Sequence, residues 1–367
     1  MRTRAVEQQT RAGSSASRVR VGAPSTMRDI ARATGVSQST VSRVLSGAPT
    51  AVPIAERTRQ LVVETAKQLG YRPNPHARGL RGARTMLLGV IVRDITDPFF
   101  AGAIEAASIE AGSLGYNVVL GHAHGRADEA VALWAILEAR HCDAILLFGD
   151  MRDQPALIED LRDTTVPVVA LWHGSRATGM RTVNVDNRLG MTAVLEHLTG
   201  LGHRRVAFAG RRPLGDIRER EEAYLAFLEG IGESPREEYL QEAANDFQGG
   251  VAVLERLMDL AEPPTAIVAS TDVIAIGVLH AAQRRGLHVP RDLSVTGFDD
   301  IPVAAVSVPA LTTARMPTRE MVGRGVRMAL AAAGAGSGSQ EDQHPVLEPT
   351  LVARASTGPA RSPSRGT

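Results

Sequence analysis

Four polar side chains, Gln38, Ser39, Ser42 and Arg43, fall on one side of a short segment whose other side carries Val41, Val44 and Leu45 at helical spacing. Each can bond a base edge: Gln bidentately to adenine, Arg to guanine, Ser to a donor or an acceptor. Clustered near the start of a helix, where base edges are met in a major groove, they point to DNA reading. A helical hairpin with a solvated polar face carries the same pattern, and these residues alone leave both readings open.

The elements that must hold them are legible on either side. Thr26 with Asp29 three residues later forms a capping box, and Met27, Ile30 and Ala31 give an apolar stripe for a first helix running to about Thr34. Gly35 suits the left-handed exit. Ser37 then caps the next helix, with Val36 and Val41 as a hydrophobic staple. After a loop marked by Gly47, Pro49 and Pro53, a third helix places Ile54, Leu61, Val62, Ala66 and Leu69 towards a small core and leaves Arg57 and Arg59 for phosphates.

Charge supports the same division. The 367 residues carry a net charge of +1, yet residues 1–85 hold fifteen Lys and Arg against four Asp and Glu, leaving 26 against 36 in the remainder. A basic head on an acidic body suits a phosphate-binding module joined to a small-molecule sensor. No apolar run approaches the ~20 residues of a membrane span, and no signal-peptide core precedes the head, so a cytoplasmic protein is expected. The single cysteine, Cys142, excludes an intramolecular disulfide and reads as a buried small hydrophobe.

The run AxxxGVSxxTVSRVLxG, followed by a helix ending LGYRPNPHARGLR, resembles the LacI-type bacterial transcription regulators, and the resemblance extends from about Thr26 to about Thr357. It implies a helix-turn-helix domain over 26–72 and a hinge over 73–85 that folds when two subunits lie side by side on DNA. In that hinge Asn74, Ala77 and Leu80 match the family positions for the helix start, the minor-groove face and the apolar wedge. Composition alone would make the same stretch a plain linker. Residues 1–25 depart from the family, whose first helix starts within a few residues of the N-terminus, and they read as a disordered extension.

From Met86 onward short apolar strands alternate with helices, which implies parallel sheets covered on both faces. Two such rounds read as two Rossmann-like lobes with a ligand crevice at the carboxyl ends of their strands. Lobe one is expected over about 86–173 and 317–333. Lobe two is expected over about 182–313 and 345–357, with VLEPTLVARAST as its final strand, a loop over 334–344 and a disordered tail over 359–367. The stretches DITDPFF, VNVDNRLG, GHRRVAFAG, PTAIVASTDVIAIG, VPRDLSVTGFDDIP and PALTTARMP resemble the periplasmic-binding-protein-like core of the same family. That resemblance implies an effector pocket built from Phe99, Phe100, Arg220, Phe247, Thr271 and Asp299; Asp272 reads from its position as the cap of the following helix.

No phosphate-binding GxxxxGK[ST], no HExxH, no metal-ligand spacing of histidines and no nucleophile elbow is present, so neither an enzyme nor a cofactor is expected. The resemblance implies a homodimer on a pseudo-palindromic double-stranded operator, with a carbohydrate as effector. A purine-like effector is the alternative. A sugar-binding transport component is the competing reading from another class, since it shares the sensor fold, and a basic helix-turn-helix head separates the two.

Overall fold

The computed structural model describes residues 25–46, 53–71, 84–123, 127–139, 142–150, 164–172, 180–211, 215–334 and 344–361. Asn74, Ala77 and Leu80 and most of the 334–344 loop lie outside the described residues. The chain divides into two compact units, a head ending at Arg81 and a sensor from Gly82.

In the head, α1 (Met27–Thr34), α2 (Gln38–Ser46) and α3 (Glu56–Gln68) form as their caps require. The Thr26 amide donates to the Asp29 carboxylate at 2.9 Å, and the Asp29 amide donates to the Thr26 hydroxyl at 3.4 Å. Gly35 leaves α1 at φ 70°, where a side chain would be strained. The Thr40 amide then donates to Ser37 Oγ at 3.1 Å and starts α2. Ile30, Val41, Val44, Val62 and Ala66 are buried together, with Met27, Val36, Leu45 and Ile54 around them. Leu61 and Leu69, expected in this core, are 48 % and 38 % exposed instead. Val62 and Ala66, one turn apart, already fill the face of α3 that meets α1 and α2, which turns Leu61 and Leu69 to its flanks.

The sensor contains two six-stranded sheets. The first has the order β11-β5-β4-β3-β1-β2, with β1 (Leu87–Val92), β2 (Asn117–His122), β3 (Ala144–Phe148), β4 (Val168–Leu171), β5 (Arg181–Val185) and β11 (Val346–Leu347). The second has the order β12-β10-β9-β8-β6-β7, with β6 (Val206–Arg211), β7 (Leu240–Glu242), β8 (Ala266–Ala269), β9 (Ser294–Asp299), β10 (Thr312–Arg315) and β12 (Thr350–Val352). Every pairing is parallel except β10 with β12. The helices that matter for the site are α4 (Pro98–Ser113), α6 (Asn187–Gly200), α7 (Gly215–Gly230), α8 (Phe247–Met258), α9 (Asp272–Arg284), α10 (Pro302–Val306) and α11 (Thr318–Ala332), α5 (Ala127–Ala139) being the remaining one. Strand interiors such as AILLF of β3 and AIVA of β8 are buried throughout, as strands covered on both faces must be.

Two boundaries differ from expectation. TVNVD was expected to open lobe two, but β5 pairs with β4 and β11 in the first sheet, and the chain crosses only after Val185. The stretch VLEPTLV is two strands rather than one: β11 joins the first sheet and β12 the second. Pro349 lies between them, with no amide to donate to a ladder, and the strand breaks there. The chain thus passes between lobes three times, near Asp186, Pro317 and Pro349. At the first crossing Gly190 of α6 is required, because a Cβ there would lie 2.7 Å from both the Phe298 ring and Pro349.

A buried histidine ties the last described residues to lobe two. His203, 1 % exposed, bonds Thr265 Oγ1 at 2.9 Å through one ring nitrogen, and Ser294 Oγ at 2.9 Å and the Gly358 carbonyl at 3.0 Å through the other. Burial pulls its pKa below the ordinary histidine value, and burial does the same at His197, which bonds Thr357 Oγ1 at 2.8 Å. The unfolded chain therefore takes up these protons first as pH falls. Stability is complete above about pH 6.5 and declines below it until the folded imidazoles also protonate. The raised carboxyls at Asp272 and Asp299 act in the opposite direction over the same range, so the histidine contribution is read as a difference: in urea unfolding His203→Asn, although less stable than the parent at pH 7.5, should lose less stability, or gain more, between pH 7.5 and pH 5 than the parent does.

Candidate functional site

Gln38, Ser39 and Arg43 stand exposed on α2, Ser42 is half-buried beside them, and Val41 and Val44 are buried opposite. The Ser39 hydroxyl lies 2.7 Å from Ser37 Oγ, within the cap that starts the helix. The polar face is therefore presented by the helix whose apolar face builds the head. Arg59, expected to meet phosphate, lies 3.7 Å from Glu56 with both side chains largely exposed, an arrangement that solvent weakens and that a phosphate can replace.

The second site is a cavity of about 400 Å³ between the two sensor lobes. Phe99, Phe100, Arg220, Thr271 and Asp299 all line it. Phe247 does not. Its ring packs 5.1 Å from His280, and its carbonyl lies where α8 and α9 touch at Gly277, where a Cβ would come within 2.1 Å of that oxygen. The close helix crossing fixes Phe247 against α9, and Ala244, Asn245 and Asp246 line the cleft in its place.

Arg220 is 1 % exposed and is surrounded by acceptors. Its Nε donates to Asn187 Oδ1 at 2.8 Å and Nη1 to the Ser270 carbonyl at 2.5 Å. Asp216 and Asp299 lie 3.5 Å and 3.6 Å from the guanidinium, which also rests 3.8 Å above the Phe298 ring. Burial pushes the Asp299 carboxyl well above the usual range against the pull of Arg220, and Asp272, Asp97 and Asp216 push it the same way. Six carboxylates, Asp94, Asp97, Asp150, Asp216, Asp246 and Asp299, line the cleft against Arg93 and Arg220, so the cleft is acidic.

Residues beyond those expected complete the site. Trp172, at the end of β4, makes edge-to-face contacts with Phe99 at 4.9 Å and Phe148 at 5.3 Å. Asp97 caps α4 through the Phe99 amide and accepts from Asn245 Nδ2 of the other lobe at 2.8 Å, while Thr271 Oγ1 donates to Asn245 Oδ1 at 2.7 Å. The Asp-Pro pair before a helix could have marked Asp97 as a cap, and a Trp closing the strand PVVALW could have flagged Trp172. Nothing local marks Asn245. Trp172, Asp299 and Asp300 hold φ values of 57°, 124° and 59°, all left-handed and all at strand ends facing this region.

Residues 26–74 match the bacterial regulatory proteins of the lacI family, and residues 195–357 match the periplasmic binding protein-like domain. The HTH-type transcriptional repressor CytR of Escherichia coli K12 is 32% identical over 338 residues, which span 90% of this chain and 96% of that protein. The chain belongs to the lacI family. In fold it is similar to the lac repressor dimer bound to operator and an anti-inducer, with a TM-score of 0.79 at 25% identity over 92% of this chain and 100% of that one. It is also similar to the transcriptional regulator CelR in complex with cellobiose, with a TM-score of 0.65 at 27% identity over 90% and 99%. Membership of the lacI family makes it a DNA-binding transcription regulator, and its relatives are regulators rather than enzymes. No helix among the described residues is long and apolar enough to cross a membrane, and no group of three metal-ligating side chains is found among them.

Asp272 is the first residue of α9 rather than its cap, and it serves the site from behind. It accepts from Thr313 Oγ1 at 2.6 Å and from the Ile301 amide at 2.9 Å, which fixes the turn carrying Asp299, and burial raises its pKa to about 6. Asp272→Ala should strand both buried donors and cost about 2–4 kcal/mol in denaturant unfolding, whereas Asp272→Asn, which keeps an acceptor, should cost less than half of that.

Proposed function

We propose that this chain is a homodimeric repressor whose hold on a pseudo-palindromic operator is switched by a carbohydrate or carbohydrate derivative bound between its sensor lobes. One observation carries the reading: a buried guanidinium flanked by two carboxylates faces a cleft whose other wall is aromatic. Phe99 and Trp172 offer surface for the apolar face of a sugar ring, and Arg220 and Asp299 offer directional bonds to its hydroxyls. The acidic lining disfavours a phosphorylated or carboxylated effector. A purine-like effector would use the same aromatic wall and the same Arg and Asp pair. On the DNA, Gln38, Ser39, Ser42 and Arg43 read base edges, while Asn74 starts the hinge helix, Ala77 faces the minor groove and Leu80 is the wedge. A transport component has no use for the basic head, which supports the regulator reading over it.

Arg43→Ala should weaken the specific operator by ~1–3 kcal/mol and random DNA far less in a mobility-shift titration. Equal losses on both would mean that Arg43 touches only phosphate. Asp299→Ala should hold the operator as tightly as the parent but lose ~1–3 kcal/mol of effector affinity in calorimetry, because ligand donors are left unpaired. Thermal-shift screening of neutral sugars, their 6-phosphates and purine bases should raise the Tm only with a neutral sugar, and a purine base as the sole hit would overturn the carbohydrate assignment.

A further inference from the structure

The effector arginine is anchored from outside the cleft. Asn187 does not line the cleft; it lines a separate groove of about 510 Å³ on the far side of the crossing, together with Asp186, Arg188, Glu219 and Glu222. It is 4 % exposed and spans the wall between the two cavities. Its Oδ1 accepts from Arg220 Nε at 2.8 Å, and its Nδ2 donates to Glu219 Oε2 at 2.7 Å. Glu219 thereby fixes which end of the amide faces Arg220, since only the oxygen can accept from a guanidinium.

Asn187 is also the first residue of α6, directly after the chain leaves the first sheet, and Asp186 before it donates its amide to the Leu347 carbonyl of β11. A packing contact runs in parallel. Gly190, one turn further along α6, makes room for the Phe298 ring on which the Arg220 guanidinium lies, and Pro349 of the third crossing closes the same gap. A polar link and an apolar link therefore join the lobe crossings to one guanidinium.

We propose that Asn187 is the positioning residue that sets Arg220 for the effector and ties it to the lobe crossings, with Glu219 orienting Asn187. The inference rests on the cleft being the effector site. A rotation of one lobe about its crossings moves Asn187, and with it the arginine; conversely, a ligand that draws on Arg220 loads the crossings. The coupling operates through a side chain that the effector never touches.

The bond can be read without any ligand, from nitrogen–proton correlation spectra of the arginine Nε–H groups of the full-length protein, with Arg220 assigned by Arg220→Lys. The Arg220 signal should exchange slowly in the parent and on the order of tenfold faster in Asn187→Ala, as expected when a buried hydrogen bond of ordinary strength is lost. Glu219→Ala should give an intermediate rate and serves alone if Asn187→Ala fails to fold. Asn187→Asp should also speed exchange, because it sets two carboxylates against each other, and adding Glu219→Gln should restore the parent rate. General loosening of lobe two would speed the backbone amides of β9, held in the ladder between β8 and β10, to the same degree as Arg220. Equal acceleration of both, or an unchanged Arg220, would overturn the inference. With cellobiose as calorimetric probe, Asn187→Ala should lose on the order of tenfold in affinity while operator binding stays at the parent value. Failure of cellobiose to bind the parent would count against the carbohydrate reading alone, and the exchange measurement would still decide this one.

Discussion

A guanidinium held at 1 % exposure cannot give up its charge, so everything around it has to answer that charge. Arg220 is answered by a carbonyl at the end of β8, an amide oxygen at the start of α6, two carboxylates and the face of Phe298. These groups come from chain segments more than a hundred residues apart, and they meet because both sheets present their carboxyl ends to the same crevice. Parallel strands with crossover helices bring that about, since each strand in such a sheet ends at the same edge. The fold thus supplies one deep, polar, poorly hydrated place, and the arginine occupies it.

The strained backbone belongs to the same picture. Trp172 and Asp299 would relax as glycine, yet each contributes to the cleft a side chain that glycine lacks. Asp300 is held by Arg315 and Arg354, both at 2.6 Å, which pins the turn after β9 in its unfavourable conformation. The result is an Asp299 carboxylate offered to the cleft rather than to the core. Two ion pairs beneath the site thus hold the turn that carries Asp299.

Much of this was legible in the sequence, and the exceptions have physical causes. The capping box at Thr26, the left-handed exit at Gly35 and the alternation of strand and helix after Met86 are local signals, and each appears where the residues dictate. Phe100, Arg220 and Asp299, which the resemblance to the family implied, line the cleft, the first two from helices and the third from the end of β9. Phe247 was misread because its position depends on a helix crossing at Gly277, thirty residues away, which no local pattern displays. The placement of β5 and β11 was misread for a similar reason: the apolar run TVNVD suits either sheet, and only its partners decide. Leu61 and Leu69 show the limit of periodicity on a short helix, where a core two residues wide is already complete.

The triple crossing has a consequence for how the protein is made. Among the described residues, the buried core of the head is complete once Tyr71 has been synthesised. Neither sensor sheet is finished until the last strands arrive: β11 closes the first at Leu347 and β12 the second at Val352, and His203 waits for Gly358. A chain emerging from the ribosome therefore carries the core of its helix-turn-helix head for most of its synthesis before either sensor sheet is closed. The order of the two units along the chain sets the order in which their cores can close.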